Sequence, residues 1–190
     1  MRAGAQPAPP PPLEEVEPPP VHIPEFREPG RFVIGFNVGI VVIDAVCEGC
    51  AAIGGLSTDI YSGVHVTPRL SLVGDLWAAN HLLPTDGENK GLASHVLGTA
   101  AAQFWITPEL FVRAGIGAAG FVVLAEQGDS VDFGPGAALT LGGEPGHKPR
   151  SGIDVAMRLG ASWLRISDPS GASEKALFYN IAFVVGWHWN

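Results

Sequence analysis

From about residue 31 to the end of the chain, large apolar side chains recur at every second position, and few folds accommodate that pattern. A β-strand shows two faces with period two, so such a run must be a strand with one wholly apolar face. Near the C-terminus, Leu177, Tyr179, Ile181, Phe183, Val185, Trp187 and Trp189 fall on one side. Phe178, Asn180, Ala182, Val184, Gly186 and His188 fall on the other. Ile153, Val155, Met157, Leu159, Ala161 and Trp163 likewise oppose Asp154, Ala156, Arg158, Gly160 and Ser162. Leu110, Val112, Ala114, Ile116, Ala118, Val122 and Leu124 oppose Arg113, Gly115, Gly117, Ala119 and Phe121. Phe32, Ile34, Phe36, Val38, Ile40 and Val42 oppose Gly35, Asn37 and Gly39.

Eight such runs are legible, at about 31–45, 56–66, 69–82, 94–106, 109–125, 131–142, 152–166 and 176–189. Turn-forming clusters separate them, and tight breaks such as Thr67-Pro68 and Thr107-Pro108 contrast with the long polar stretches 84–91 and 167–175. Of the seven prolines beyond residue 30, only Pro135 falls inside a run, as expected of a residue without a backbone donor. Val66-Thr67-Pro68-Arg69-Leu70 and Ile106-Thr107-Pro108-Glu109-Leu110 form a weak repeat, forty residues apart. That interval fits two hairpin-linked strands of an up-and-down meander. Residues 1–30 differ: they hold ten of the seventeen prolines and five glutamates. Such a segment cannot bury enough apolar surface to fold, and is expected to be a disordered, extended tail.

Which medium covers the apolar face decides the class of protein. A soluble carrier barrel turns its apolar face inward and scatters Lys and Glu outside. Here the other face is rich in glycine and poor in charge; the whole chain has 25 glycines and only three lysines, Lys90, Lys148 and Lys175. Apolar-out with small and polar groups inward is the pattern of a membrane barrel. Closure would also satisfy the backbone, for which hydrocarbon offers no partner. No run reaches the ~18–20 apolar residues of a membrane helix. The net charge of −8 argues against nucleic acid as a partner. Ala3-Gly4-Ala5 has the small residues of an export-cleavage site, without an apolar segment before it.

Aromatic residues near run ends, Trp163, Trp187, Trp189, Tyr179, Phe104 and Trp105, suit interfacial girdles. On strand count, alternation, turn asymmetry and an aromatic-rich last strand from Tyr179 to Trp189, residues 31–190 resemble the small eight-stranded outer-membrane barrels, the OmpA/OmpX-like group. The resemblance implies an all-β, antiparallel, up-and-down transmembrane barrel in a bacterial outer membrane. It implies a periplasmic tail over 1–30, extracellular long loops, and contact with outer-membrane lipid. Tyr179, Phe183, Trp187 and Trp189 resemble the final-strand signal read by the barrel-assembly machinery, although the chain ends in Asn190 where that signal has an aromatic residue. A periplasmic partner for the proline-rich tail is a further expectation.

An eight-stranded barrel is only wide enough for side chains to fill it. The inward set is expected to include Tyr61, His65, Asp75, Trp77, Gln103, Arg113, Asp132, Asp154, Arg158 and His188. Counted from the tight turns, Asp75, Gln103, Arg113 and Arg158 share one depth. The expectation is a lumen cluster with Asp75 paired to Arg113 or Arg158, because an unpaired buried arginine is costly. Such a cluster serves either as a stabilising plug or as a narrow ion path, and the plug is favoured. Cys47 and Cys50 sit in the first long break, which is extracellular in this orientation, and form a candidate disulfide. Two further ligands for zinc are not well placed, so neither a metal nor a cofactor is expected. Ser94 and His95, with Asp86 and Glu88 nearby, are the only candidate catalytic set. Adjacent strand residues face opposite ways, so no enzyme is expected. The reading is a non-enzymatic barrel acting through its loops and tail in support, surface contact or partner binding. The alternatives are a narrow solute or ion conduit and a soluble lipocalin-like carrier of an apolar ligand.

Overall fold

The computed structural model describes residues 26–46, 52–83, 91–125, 130–145, 151–167 and 173–190. Eight strands follow one another: β1 (Phe32–Val46), β2 (Ile53–Thr67), β3 (Leu70–Leu83), β4 (Gly91–Trp105), β5 (Leu110–Ala125), β6 (Ser130–Gly143), β7 (Ser151–Ser167) and β8 (Ser173–Trp189). Each pairs antiparallel with the next, and β8 returns to β1 through a register running from Ile34↔Trp189 to Val46↔Leu177. The sheet is a closed barrel. Closure removes the free edges that an open sheet would present.

All eight expected runs are strands, but most are longer than the alternation alone suggests. β2 begins at Ile53 because Gly54 and Gly55 continue the ladder opposite Val42 and Val41. Glycine is a poor strand former, and pairing with β1 overrides that local weakness. At ~3.3 Å per residue, a 15-residue strand is roughly 50 Å long, more than a ~30 Å hydrocarbon core needs even at a strong tilt. The strand ends therefore project beyond any such layer.

The alternation sets the faces. Phe36, Ile40, Leu56, Ile60, Leu72, Ile116, Phe133 and Phe183 all point outward and are exposed. The odd-numbered residues of β1 to β5 and the even-numbered residues of β6 to β8 point inward. This is the opposite of a carrier, whose apolar faces would line a cavity. The Thr-Pro repeat has a local cause. Thr67 Oγ1 accepts from the backbone N–H groups of Arg69 and Leu70 at 3.2 and 3.0 Å. Thr107 Oγ1 accepts identically from Glu109 and Leu110. A threonine hydroxyl thus closes two equivalent hairpins at the end that also carries the chain termini, called the lower end below.

Residues 26–30, which the composition assigns to the tail, are tied to the barrel. Gly30 donates its N–H to the His65 carbonyl at 2.7 Å, and the His65 N–H reaches the Arg31 carbonyl at 2.9 Å. Gly30 has φ +83°, a left-handed conformation that favours glycine. Residues 1–25, and with them the proline runs, lie outside the described residues, as do Cys47 and Cys50.

Candidate functional site

The lumen is stacked in layers of side chains. At mid-height, β1, β2, β3, β5 and β7 bring Asn37, Asp59, Asp75, Arg113 and Arg158 together, all buried. Arg158 Nη1 lies 3.0 Å from Asp59 Oδ2, and Arg158 Nη2 lies 2.6 Å from Asp75 Oδ1. Arg113 Nη1 lies 3.3 Å from Asp75 Oδ2, and Arg113 Nε donates to Gln103 Oε1 at 2.8 Å. Asn37 Nδ2 donates to Asp59 Oδ1 at 2.7 Å. Two guanidinium groups thus face two carboxylates, so this layer is formally neutral. Arg158 also stacks over the Trp77 ring at 4.6 Å, and Arg113 over Tyr61 at 4.1 Å. Asp75, Gln103, Arg113 and Arg158 therefore meet at one depth, with Asp75 between the two arginines. Asp59 is the residue that sequence reasoning passed over. Its signal is present, because Asp59 shares the odd-numbered face of β2 with Tyr61 and His65.

The lower mouth is closed by residues that no strand pattern reveals. Arg27 turns back under the barrel, pairs with Glu144, donates to the Pro108 carbonyl at 3.1 Å and covers the Trp105 ring at 3.8 Å. Trp105 is therefore a lumen residue, 1 % exposed, and not part of an outer aromatic girdle. Its position at the end of β4 fits either role; the inward parity of Gln103 and Ala101 decides. Trp163, Trp187, Trp189, Tyr179 and Phe104 do face outward, as does Phe183. Glu144 lies beyond the end of β6, and burial raises its carboxyl from 4.5 to about 7 against the opposing pull of Arg27 and His188. Burial also lowers the Arg27 guanidinium. Both directions say that desolvation outweighs the attraction within the pair.

Between these layers, His188 Nδ1 donates to Asp154 at 2.9 Å, and Tyr61 donates its hydroxyl to the other oxygen of Asp154. Donor atoms of Glu144, Asp154 and His188 lie within 4.8 Å of one another, which is compact enough for a cation. Asp154 already accepts from both Tyr61 and His188, however, and Glu144 already holds Arg27. A cation there would compete with a guanidinium. His65 is anchored by Ser71 at 2.7 Å and Asn190 at 3.3 Å. Asp132 points inward near the opposite end and is half-buried.

The upper lumen is largely apolar, with His81, His95, Ser162 and Asn180 buried among its hydrocarbon side chains. Val41, Ile43, Trp77, Leu97, Leu164 and Phe178 pack there, with alanines between them. His95 is fully enclosed: its Nδ1 lies 2.6 Å from Asn180 Nδ2, and its Nε2 lies 2.8 Å from Ser162 Oγ. Ser94 faces away from His95, outward, and donates to Asn80 at 2.7 Å. The two therefore cannot act on one substrate, and Asp86 and Glu88 lie outside the described residues.

No family model matches the chain, and no curated protein matches it in sequence. Solved structures do. Ail, the attachment invasion locus protein of Yersinia pestis, superimposes with TM-score 0.57 over 85 % of this chain and 100 % of its own, at 11 % identity. Its complex with the heparin analogue sucrose octasulfate gives 0.60 over 84 % and 99 %, at 10 % identity. Neisserial surface protein A gives 0.56 over 83 % and 96 %, at 12 % identity. These likenesses establish the fold, that of the small eight-stranded outer-membrane barrels.

Proposed function

We propose that this chain is a non-enzymatic bacterial outer-membrane barrel whose lumen is a structural plug and whose work is done at its surface, through its upper loops and its proline-rich tail. The observation that carries the reading is the pairing of an apolar exterior with a filled interior. Phe36, Ile40, Leu72, Ile116 and Phe183 suit hydrocarbon and nothing else in an aqueous cell. Inside, Arg158, Trp77 and Leu97 are each 1 % exposed or less, with Trp77 and Leu97 facing each other as cross-strand partners. A conduit would need a continuous aqueous path past them, and a carrier would need an apolar cavity in their place.

The orientation that follows puts the termini and the Thr-Pro hairpins in the periplasm and the longer connections outside. Tyr179, Phe183, Trp187 and Trp189 on the outer face of β8 are then the side chains that the barrel-assembly machinery would meet first. Outer-membrane lipid is the one partner the exterior demands. The tail would then engage a periplasmic partner or serve as a spacer.

Two measurements test this. Protein extracted from the membrane fraction is expected to change its gel mobility on boiling, because a closed barrel stays folded in the gel detergent until heated. Reconstituted into planar bilayers, it is expected to give no discrete conductance steps. A fully soluble protein with no heat shift overturns the membrane assignment, and reproducible channel steps overturn the plug.

A further inference from the structure

We infer that the upper rim of the β6–β7–β8 wall binds a membrane lipid by its phosphate headgroup. The observation begins with Pro135, the one proline inside a strand run. The β6–β7 ladder extends from Gly143↔Val155 to Gly136↔Ser162 and stops there. One further step would set Pro135 opposite Trp163, and three steps would set Phe133 opposite Arg165. Pro135, which has no N–H to offer, is the first residue beyond the ladder. The neighbouring ladders β5–β6 and β7–β8 both continue past this level. The wall is therefore notched on its outer side, and Phe133, Pro135, Trp163, Arg165 and Lys175 line the groove.

Two features of the notch give its occupant a chemistry. Arg165 and Lys175 are direct cross-strand partners, and both are exposed on the outer face. Neither makes an ion pair among the described residues. Like charges directly opposite one another destabilise a sheet unless an anion lies between them. A phosphate suits the position: the guanidinium fork takes two of its oxygens and the ammonium a third. Beside the cations and below them the groove is apolar, with Phe133 72 % exposed at their level and Trp163 56 % exposed nearer mid-barrel. A cationic head above an apolar slot, on the outward face of the barrel, complements an amphiphile with a phosphate head and an acyl chain. A free phosphate ion would use only the upper part.

This assignment rests on the membrane reading, and the experiment separates the two. The full chain, purified in a maltoside detergent, is titrated with dioleoyl phosphatidic acid or dioleoyl phosphatidylcholine, and bound lipid is counted by native mass spectrometry. One phosphatidic acid per barrel is expected to be retained, at least tenfold more tightly than phosphatidylcholine. The double variant R165Q/K175Q is expected to lose that preference while keeping the heat-dependent gel shift of the wild type. Inorganic phosphate at the same concentration is expected not to displace the lipid. Equal retention of both lipids, undiminished retention by the double variant, or displacement by inorganic phosphate would each overturn the inference. Loss of the gel shift in the wild type would instead strike the membrane reading.

Discussion

The two halves of the lumen solve the same packing problem with opposite chemistry. At mid-height and below it, Arg158, Arg113 and Arg27 each face a carboxylate, and Asp154 takes two donors. Above it, Val41, Ile43, Leu97, Leu164 and Phe178 pack as in the core of a soluble protein, around one uncharged polar group of His95, Ser162 and Asn180. Eight strands leave room only for side chains, so either filling closes the barrel. They differ in what a single substitution leaves behind. Removing an apolar group leaves a void; removing one charge of a buried network leaves its partner uncompensated. The lower half should thus be the more brittle, and the upper half the more tolerant.

The largest test of this contrast is Asp75→Ala. Among the described residues Asp75 alone bridges both arginines of the mid-height layer, so its loss leaves Arg113 with Gln103 and aromatic rings, and Arg158 with Asp59 and the Trp77 ring. A loss of roughly 3–5 kcal/mol is expected, read from urea unfolding in detergent or lipid. Asp75→Asn should recover little, because it keeps the shape and removes the charge. If Asp75→Ala unfolds at the same urea concentration as the wild type, the network is decorative and the contrast fails.

Glu144 gives the next effect, and it depends on pH. Its carboxyl is raised to about 7 in the folded protein against an ordinary 4.5. A group raised on folding adds stability below its unfolded value, and that contribution is lost as pH rises through the folded one. Stability should therefore fall between about pH 4.5 and about pH 7 by roughly 3 kcal/mol. Glu144→Gln should flatten that slope. Parallel wild-type and variant profiles across this window would show that Glu144 does not titrate there.

These two residues also mark how far the sequence could be read. Asp75 sits in a strand whose alternation is unbroken, so its face and depth follow from counting along β3. The whole barrel was legible in the same way, because alternation and turn residues act locally. Asp59 carried the same signal among weaker neighbours, the glycines, serines and threonines of β2. Arg27 and Glu144 carried none. Arg27 lies in a proline-rich stretch whose composition says tail, and Glu144 lies in a loop. Their meeting depends on closure, which brings residue 27 beneath the turn after β6, 117 positions away. The apolar upper lumen was hidden for another reason. Val41 and Phe178 fall on the inward face by parity, yet large apolar residues, Ile40 and Val42 or Leu177 and Tyr179, flank them on the outward face. Alternation is visible only where the two faces differ.

The upper half offers a smaller effect. Leu97 is fully enclosed within the apolar cluster. Leu97→Ala should cost about 2–3 kcal/mol through lost transfer energy and the residual void. Thermal unfolding followed by the gel-mobility shift would measure it. A loss as large as that of Asp75→Ala would erase the proposed difference between the halves.

The smallest expected effect probes the boundary itself. Trp77 sits where the two chemistries meet: Arg158 covers its ring, and its Nε1–H donates to Ser57 at 2.7 Å. Opposite it, Gly160 leaves the space the ring needs, since a methyl there would lie 2.4 Å from the indole. Gly160→Ala must therefore push the Trp77 ring. The ring can yield only towards the apolar cluster, away from Arg158, or by giving up its bond to Ser57. Overpacking of this kind costs about 1–2 kcal/mol. Its signature would be a change in tryptophan near-ultraviolet circular dichroism, with the barrel intact by gel mobility. In an Asp75→Ala background, the two losses should fall short of additivity. Both loosen the same guanidinium, and the second has less to disturb once the first has freed it. Full additivity would mean that the Arg158–Trp77 contact carries no coupling, and that the charged and apolar halves are independent layers sharing a wall.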